Sequence, residues 1–219
     1  KGVPGGEVNN TADVENYPVF SLVSGPELAQ HMYQGAMRFD AVHDYGDVSH
    51  IEVEGDLKRV HTSSKVYEAK AVIVATGSFH RHLGVPGEEE LAGRGVSYCA
   101  VCDGFFFRDK EIIVVGGGDS AVEEAHYLTQ FASKVTVIHR RDELRAQKVL
   151  QDRAFANPKI EFIWDSVVEE ILGTDAVEGV QIKNVKTGQT SRVDSQGVFI
   201  YVGLVPNSEA VKDLGITDQ

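Results

Sequence analysis

The chain has only two cysteines, and two residues separate them. Cys99 and Cys102 are too close in sequence for a disulfide between them to stabilise a fold by closing a long loop. Two thiols at this spacing instead suit reversible two-electron exchange or metal binding. The next residue, Asp103, is an acid that can give or take a proton as a thiolate leaves or forms. The spacing therefore indicates chemistry at Cys99, Cys102 and Asp103.

The number of available ligands favours redox chemistry over zinc binding. A structural zinc site usually takes four ligands, often as two cysteine pairs or a cysteine pair with a histidine pair. The chain has no second cysteine pair, and His80 and His82 would join the first only by a coincidence of folding. We therefore predict a redox-active pair and no metal site. Because Asp103 alone would raise the pKa of a neighbouring thiol, a positive or electron-poor group should stabilise the thiolate.

A glycine-rich segment follows the cysteine pair and has the order of a dinucleotide-binding motif. Residues 111–115 predict a strand, 121–129 a helix and 135–139 a second strand. Between the first strand and the helix, Gly116 permits a tight turn and Gly118 lets a pyrophosphate approach the backbone, while the helix N-terminus attracts phosphates. This order of elements makes the glycines stronger evidence than the triplet alone. The predicted nucleotide contacts here are Gly116, Gly118, Asp119, Ser120 and Ala121.

The residues after the second predicted strand indicate which nucleotide binds. An NAD site places an acid there, about 20 residues after the glycines, for the ribose 2′-hydroxyl. This chain has basic residues instead, which suit a 2′-phosphate: His139, Arg140, Arg141 and Arg145. We therefore predict NADPH rather than NADH. Asp142 is expected to cap a helix over residues 144–155.

The elements around these motifs form two similar halves. Ser24 caps a predicted helix, and the first half then contains predicted strands at 39–44, 48–54, 57–61 and 69–75, the last a buried strand that leads to Gly77. After the glycine motif, the second half has predicted strands at 160–164, 177–182, 190–193 and 197–202, the last leading to Gly203. This order indicates an internal repeat. The counterpart of Gly116 in the first half would precede residue 1, so we expect a fragment of a longer protein.

Composition restricts the possible partners. The chain has 219 residues, 42% of them hydrophobic and 25% charged, which is ordinary for a globular protein. The net charge of −12 disfavours nucleic acid as a partner. No apolar run approaches the ~20 residues that span a bilayer, so no membrane association is predicted. His31, His43, His50 and His61 belong to no motif and are expected to be surface or core residues.

These motifs together resemble the low-molecular-weight, bacterial-type thioredoxin reductases. The resemblance covers essentially the whole chain and is carried by the cysteine segment 99–106, the glycine segment 116–125 (GGGDSAVEEA), the basic segment 139–146 (HRRDELRA) and residues 74–77. It implies an α/β protein with two interleaved dinucleotide-binding domains, each Rossmann-like with three ββα layers. A partial FAD-binding domain would comprise residues 1–81 and 207–219, and an NADPH-binding domain residues 82–206. The family's N-terminal FAD fingerprint and its later Gly-Asp segment are missing.

The resemblance also implies an activity and its cofactors. Family members pass electrons from NADPH through FAD to a disulfide, here Cys99–Cys102, and then to thioredoxin; the electron-poor flavin would stabilise the thiolate. By the same resemblance the protein is a cytoplasmic homodimer, and the flavin contacts correspond to Gly6, Glu7, Asn16, Ala75, Thr76 and Gly77. Two alternatives stay open: a flavoprotein that reduces a peroxiredoxin, and an NADPH-binding module without catalysis.

Overall fold

The chain forms two units, one inserted in the other. The structure, a computed structural model, describes residues 3–11 and 13–216. Unit 1 consists of Lys1–Phe79 and Val205–Gln219, and unit 2 of His80–Leu204. The assignment of unit 1 to FAD and unit 2 to NADPH stays a prediction.

The described residues contain four α-helices and thirteen strands. The helices are α1 (Gly25–Met37), α2 (Ala100–Asp103), α3 (Asp119–Leu128) and α4 (Lys148–Phe155). The strands up to the glycine motif are β1 (Val48–Glu54), β2 (Leu57–Thr62), β3 (Val66–Ala69), β4 (Ser78–His80), β5 (Val96–Ser97) and β6 (Glu111–Gly116). The later strands are β7 (Lys134–Ile138), β8 (Ile160–Ile163), β9 (Ser166–Gly173), β10 (Val177–Asn184), β11 (Thr190–Asp194), β12 (Val198–Tyr201) and β13 (Leu204–Pro206). Three 3-10 segments are Gly6–Asn10, Gly104–Phe107 and Glu209–Leu214.

Unit 2 is built around a parallel sheet with the strand order β5-β12-β6-β7-β8. Side chains of the central strand β6 alternate between two buried clusters, as the pleat requires. Ile112 and Val114 pack with residues of α3 and α4, whereas Ile113 and Val115 pack with residues of β9 and β10. Helices therefore cover one face of the sheet and an antiparallel sheet covers the other. This arrangement confirms the predicted α/β, Rossmann-like fold for unit 2.

The covering sheet of unit 2 has the order β11-β10-β9 and is antiparallel throughout. Val180 and Ile182 of β10 and Val168 and Ile171 of β9 are buried against the parallel sheet. The predicted strands 177–182 and 190–193 fall within β10 and β11. Strand β9 has no counterpart among the predictions, because its buried positions are interrupted by Glu169 and Glu170.

Unit 1 confirms some of the predicted elements and corrects others. Ser24 caps α1 as predicted, its hydroxyl accepting a hydrogen bond from the Glu27 backbone N–H at 3.4 Å. Strands β1 and β2 match the predictions for 48–54 and 57–61, and they pair in the antiparallel order β1-β2-β3. Residues 39–44 form no strand.

The predicted buried strand 69–75 is also wrong. Only Ala69 of this range belongs to a strand, β3, and Ile73 is 92% exposed. A buried strand requires hydrogen-bonded neighbours and covered faces, and within the described residues no strand pairs with 70–77. Among the helices described, none is both long and apolar enough to cross a bilayer.

Candidate redox and nucleotide-binding site

The turn between β6 and α3 is shaped by glycines with different constraints. Gly116 has φ +150°, and a Cβ added to it would lie 2.3 Å from the Tyr201 carbonyl oxygen and 2.7 Å from the Ala121 Cβ. Ala121 is itself fully buried, so helix and strand approach closely. Gly118 is the N-cap of α3, makes no side-chain cap, and has open space where a side chain would be. The turn therefore leaves helical N–H groups accessible to an anion, as a pyrophosphate site requires.

The basic segment 140–147 is held against this turn. The backbone N–H of Arg145 donates to the Gly117 carbonyl at 2.7 Å, and the backbone N–H of Gln147 donates to the Asp119 carboxylate at 2.7 Å. These bonds explain why the predicted helix 144–155 begins only at Lys148. Asp142 is not its cap; its carboxylate instead accepts a hydrogen bond from Lys186 Nζ at 2.8 Å. Ser120, also predicted to contact the nucleotide, is exposed beside Asp119.

The arginines of this segment are available to an anion. Arg140, Arg141 and Arg145 are all exposed, and across residues 3–11 and 13–216 no carboxylate forms an ion pair with them. Three uncompensated guanidinium groups near a helix N-terminus suit a ligand that carries several phosphates.

His139 lies beneath the glycine turn. Its ring is 2.3 Å from the position that a Gly117 Cβ would occupy, and its Nε2 atom is buried without a hydrogen-bond partner among the described residues. Burial lowers the pKa of His139, and the positive charges of Arg140, Arg141 and Arg145 act in the same direction. The imidazole edge meets Trp164, with ring centroids 6.4 Å apart.

The two cysteines form a disulfide at the start of helix α2. Their Cα atoms are 5.3 Å apart. Cys99 is the N-cap of α2, and its sulfur accepts a hydrogen bond from the Cys102 backbone N–H at 3.2 Å. Cys102 is exposed and Cys99 half-buried, so the disulfide is accessible from the surface of unit 2.

Asp103 is positioned by a serine that the sequence patterns did not identify. Ser97, buried on β5, donates its hydroxyl to the Asp103 carboxylate at 2.6 Å and accepts a hydrogen bond from the Cys99 backbone N–H at 3.0 Å. One hydroxyl thus links the predicted acid to the first cysteine. No sequence signal marked Ser97, since a serine two residues before a cysteine has no motif of its own.

Tyr201 connects the disulfide to the glycine turn. Its hydroxyl accepts a hydrogen bond from the Ala100 backbone N–H at 2.8 Å, and its backbone pairs with Gly116 in the parallel sheet. Burial raises the pKa of Tyr201, as do the nearby negative charges of Glu124 and Asp103. The phenol is therefore neutral at physiological pH. Through Tyr201, the disulfide helix α2 and the glycine turn are both attached to the end of strand β12.

A second cluster positions the chain just before the cysteines. Glu88 is almost completely buried, and its carboxylate accepts hydrogen bonds from the Tyr98 hydroxyl at 2.6 Å and from the backbone N–H groups of Leu83 and Gly84 at 2.9 and 2.7 Å. Burial alone would raise the pKa of Glu88, but these hydrogen bonds lower it. Glu88 thus ties the segment that enters unit 2 to the residue before Cys99.

The residues predicted to contact flavin all lie in unit 1. Gly6 and Glu7 are in the first 3-10 segment, and Asn16 lies in an exposed turn. Ala75, Thr76 and Gly77 are exposed. The Thr76 hydroxyl donates to the Asn207 carbonyl at 2.6 Å.

A cavity of about 310 Å³ in unit 1 is lined by other residues: Pro4, Gly5, Val8, Ala29, Met32 and Tyr33. The predicted flavin contacts do not line this cavity. In unit 2, by contrast, the glycine turn and the basic segment together form a cradle that fits a dinucleotide.

Comparison with known proteins agrees with this fold. Residues 12–218 match the family described as "Pyridine nucleotide-disulphide oxidoreductase". The chain is 56% identical over 219 residues to a protein of Listeria monocytogenes named thioredoxin reductase, covering all of the chain and 69% of that protein. It is 52% identical to the thioredoxin reductase of Bacillus subtilis, of which it covers 70%.

Solved structures give the same result. The crystal structure of Lactococcus lactis thioredoxin reductase, in the conformation termed FR, matches with a TM-score of 0.95 and 54% identity over all of this chain and 72% of that one. The thioredoxin reductase of T. acidophilum matches with a TM-score of 0.88 and 34% identity over 96% of this chain and 69% of that one. The fold and the site define a protein in which one Rossmann-like unit contains both a glycine-rich nucleotide turn and a two-cysteine disulfide. The chain belongs to the pyridine nucleotide-disulphide oxidoreductase family.

Proposed function

We propose that this chain belongs to an NADPH-dependent thioredoxin reductase and supplies its nucleotide-binding unit and its redox disulfide. The observation that carries the proposal is the link through Tyr201, which bonds to the disulfide helix at one end and to the glycine turn at the other. A nucleotide cradle and an accessible two-cysteine disulfide on one rigid support suit a protein that moves two electrons to another disulfide.

The nucleotide is NADPH rather than NADH in this proposal. The three exposed guanidinium groups of Arg140, Arg141 and Arg145 can surround a 2′-phosphate, and no acid stands at the end of β7 to bind a 2′-hydroxyl. Gly116, Gly118 and Ala121 shape the pyrophosphate turn. Asp119 acts indirectly, since its carboxylate holds Gln147 and with it the basic segment.

Reduction of the disulfide to two thiols takes up two electrons and two protons. Reduction of the Cys99–Cys102 bond gives two thiols; one thiolate attacks the disulfide of thioredoxin and forms a mixed disulfide. The other thiolate then attacks its partner cysteine, which releases reduced thioredoxin and restores the Cys99–Cys102 bond. In this proposal Asp103, whose carboxylate accepts a hydrogen bond from Ser97, gives the proton to a leaving thiolate or takes it from an attacking thiol.

The FAD cofactor, the cellular location, the homodimer and the substrate are proposed from the similarity of this chain to its relatives. FAD, when bound, would supply the two-electron relay between a nicotinamide and the disulfide. Gly6, Glu7, Asn16, Ala75, Thr76 and Gly77 are its proposed contacts. A cytoplasmic location, a homodimeric state and thioredoxin as the substrate are proposed on the same basis.

The proposal is tested by NADPH oxidation with FAD and oxidised thioredoxin present. The chain should bind FAD, and Cys99→Ser and Cys102→Ser should each abolish thioredoxin reduction, while both variants still bind NADPH. A colourless protein that binds NADPH but transfers no electrons would favour the alternative of a binding module without catalysis. Reduction of a peroxiredoxin in place of thioredoxin would favour the other alternative.

A further inference from the structure

Strand pairing in unit 1 brings two histidines and a glutamate together, whereas the residues of the proposed redox site belong to unit 2. His50 on β1 pairs directly with His61 on β2, and their rings stack with centroids 4.1 Å apart and planes 12° apart. Glu52 lies two residues after His50 and therefore on the same face of the sheet. The three residues share no sequence motif, because the hairpin alone makes them neighbours.

The three side chains converge through atoms that bind metals. His61 Nε2 lies 3.1 Å from Glu52 Oε2, and His50 Nε2 lies 3.6 Å from Glu52 Oε1. Ligand atoms from all three residues lie within 4.8 Å of one another. Ligands of a tetrahedral zinc ion with bonds of 2.0–2.1 Å are roughly 3.3 Å apart, so small side-chain rotations would suffice.

Hydrogen bonds in the cluster leave the converging nitrogens available. His61 Nε2 is buried, and despite the nearby carboxylate it makes no hydrogen bond of acceptable geometry among the described residues. His50 turns its other ring nitrogen, Nδ1, toward the Ser49 hydroxyl at 3.0 Å. Metal-binding histidines usually have such a partner on the second nitrogen, which fixes the ring orientation.

The surrounding charges favour a cation. On the same face, Arg59 bonds to Glu54 at 2.6 Å and to Glu68 at 3.1 Å, so its charge is already compensated by two carboxylates. Glu52 then remains as an additional negative charge beside the imidazoles. The side chains of His50 and Glu52 are 49% and 53% exposed, so solvent can reach the cluster and water can complete a coordination sphere.

We propose that His50, Glu52 and His61 form a binding site for a divalent transition metal ion of the zinc type. The two Nε2 atoms and one carboxylate oxygen would be the ligands. Two imidazoles and a carboxylate suit Zn²⁺, Ni²⁺ or Co²⁺, whereas Mg²⁺ and Ca²⁺ prefer oxygen ligands. This site is separate from the proposed reductase function and uses none of its residues.

The test is calorimetric titration of the chain with Zn²⁺, with the Cys99–Cys102 disulfide kept oxidised so that its thiols cannot bind the metal. One ion should bind per chain, Mg²⁺ should not compete, and Co²⁺ should give the visible spectrum of a nitrogen- and oxygen-bound ion. Glu52→Gln and His50→Gln should each weaken Zn²⁺ binding at least about tenfold, since each removes a direct ligand. Glu52 is exposed, so its replacement leaves folding intact, and circular dichroism verifies this for both variants.

His31→Gln is the matched control. His31 lies 3.9 Å from Glu27 on helix α1, and among the described residues this histidine–glutamate pair belongs to no three-ligand group. This variant should bind Zn²⁺ as the unmodified chain does. Unchanged affinity in both Glu52→Gln and His50→Gln, or loss of binding in His31→Gln alone, would overturn the proposal, as would the absence of any Zn²⁺ binding to the unmodified chain.

Discussion

The two units contain similar apolar segments that end in glycine, yet the segments fold differently. In unit 2, β6 ends at Gly116 and has strands on both sides and a covering layer on each face. In unit 1, residues 71–77 end at Gly77 and form no strand. The contrast is clearest for two isoleucines: Ile113 is 1% exposed and Ile73 is 92% exposed.

This difference shows that a run of β-branched residues specifies a buried strand only where neighbouring strands are present. A parallel strand receives its hydrogen bonds and its burial from adjacent elements rather than from its own residues. Unit 2 contains those elements within residues 80–204. Its glycine turn is therefore rigidly packed, whereas the turn at Gly77 has open space where a side chain would be.

The largest expected effect is the loss of stability when Gly116, rather than Gly77, is replaced by alanine. Gly116→Ala would place a Cβ 2.3 Å from the Tyr201 carbonyl oxygen, at a φ of +150° that alanine disfavours. We expect unit 2 to lose at least about 4 kcal/mol of stability, because both backbone strain and a backbone clash result. Urea unfolding followed by the fluorescence of Trp164, the only tryptophan and a residue of unit 2, measures this loss.

Gly77→Ala is the paired substitution in unit 1. Gly77 also has a positive φ, +69°, but nothing lies within 4 Å of the added Cβ. The loss should be limited to about 1 kcal/mol from the left-handed backbone conformation. Because Trp164 lies in unit 2, its unfolding transition should not move in Gly77→Ala. If Gly77→Ala and Gly116→Ala shifted this transition equally, the two turns would not differ as described.

The same contrast explains how much of the molecule could be predicted from its sequence. The predicted strand at 111–115 and the predicted turn at Gly116 are confirmed, because local pattern and tertiary environment agree there. The predicted strand 69–75 and the cap at Asp142 are wrong, because each depends on long-range partners: the first lacks strand neighbours, and Asp142 bonds to Lys186 instead. Tyr201 could not be identified because its hydrogen bond to Ala100 joins residues that are distant in sequence. The contacts of Ser97 with Cys99 and Asp103 are local but belong to no motif.

A second prediction compares the two isoleucines directly. Ile113→Ala removes a buried side chain between the parallel sheet and β9–β10, and we expect a loss of about 3 kcal/mol from lost burial and the resulting cavity. Ile73→Ala removes an exposed side chain and should change stability by less than about 0.5 kcal/mol. The free energies of unfolding of both variants, measured in urea, check this. A large effect of Ile73→Ala would mean that residues 71–77 are buried in solution.

The two units also differ in how their structure shifts the pKa of an acidic side chain: an exposed acid in unit 1 has a lowered pKa, and a buried acid in unit 2 has a raised one. In unit 1, the hydrogen bond from Lys65 lowers the pKa of the exposed Asp44 to about 2. In unit 2, burial raises the pKa of Glu124 from 4.5 to about 7, helped by the charge of Glu123. Because the folded state binds this proton more tightly, unit 2 should be most stable below pH 4.5 with respect to Glu124 and lose that contribution as pH rises through 7.

Glu124→Gln should remove this pH dependence. At pH 8 the variant should be more stable than the unmodified chain by about 2 kcal/mol, because a neutral amide replaces a partly desolvated carboxylate. Urea midpoints from pH 4 to 8, followed by Trp164 fluorescence, measure the effect. The exposed neighbour serves as a control: Glu123→Gln should keep the pH dependence and move it to lower pH. A flat profile for the unmodified chain would contradict the raised pKa.

A further expected effect concerns nucleotide binding rather than stability. Arg141 is exposed and, within the described residues, has no ion-pair partner, so Arg141→Gln should leave the stability of unit 2 unchanged. Loss of one charge-assisted contact to a 2′-phosphate should weaken NADPH binding about tenfold, or about 1.4 kcal/mol, and leave NADH binding unchanged. Arg192→Gln is the matched control, since Arg192 is an exposed arginine of unit 2 that already bonds to Asp194 at 2.6 Å. Equal weakening of NADPH and NADH by Arg141→Gln would place Arg141 at a phosphate common to both nucleotides, and the selectivity for NADPH would then have to come from Arg140 or Arg145.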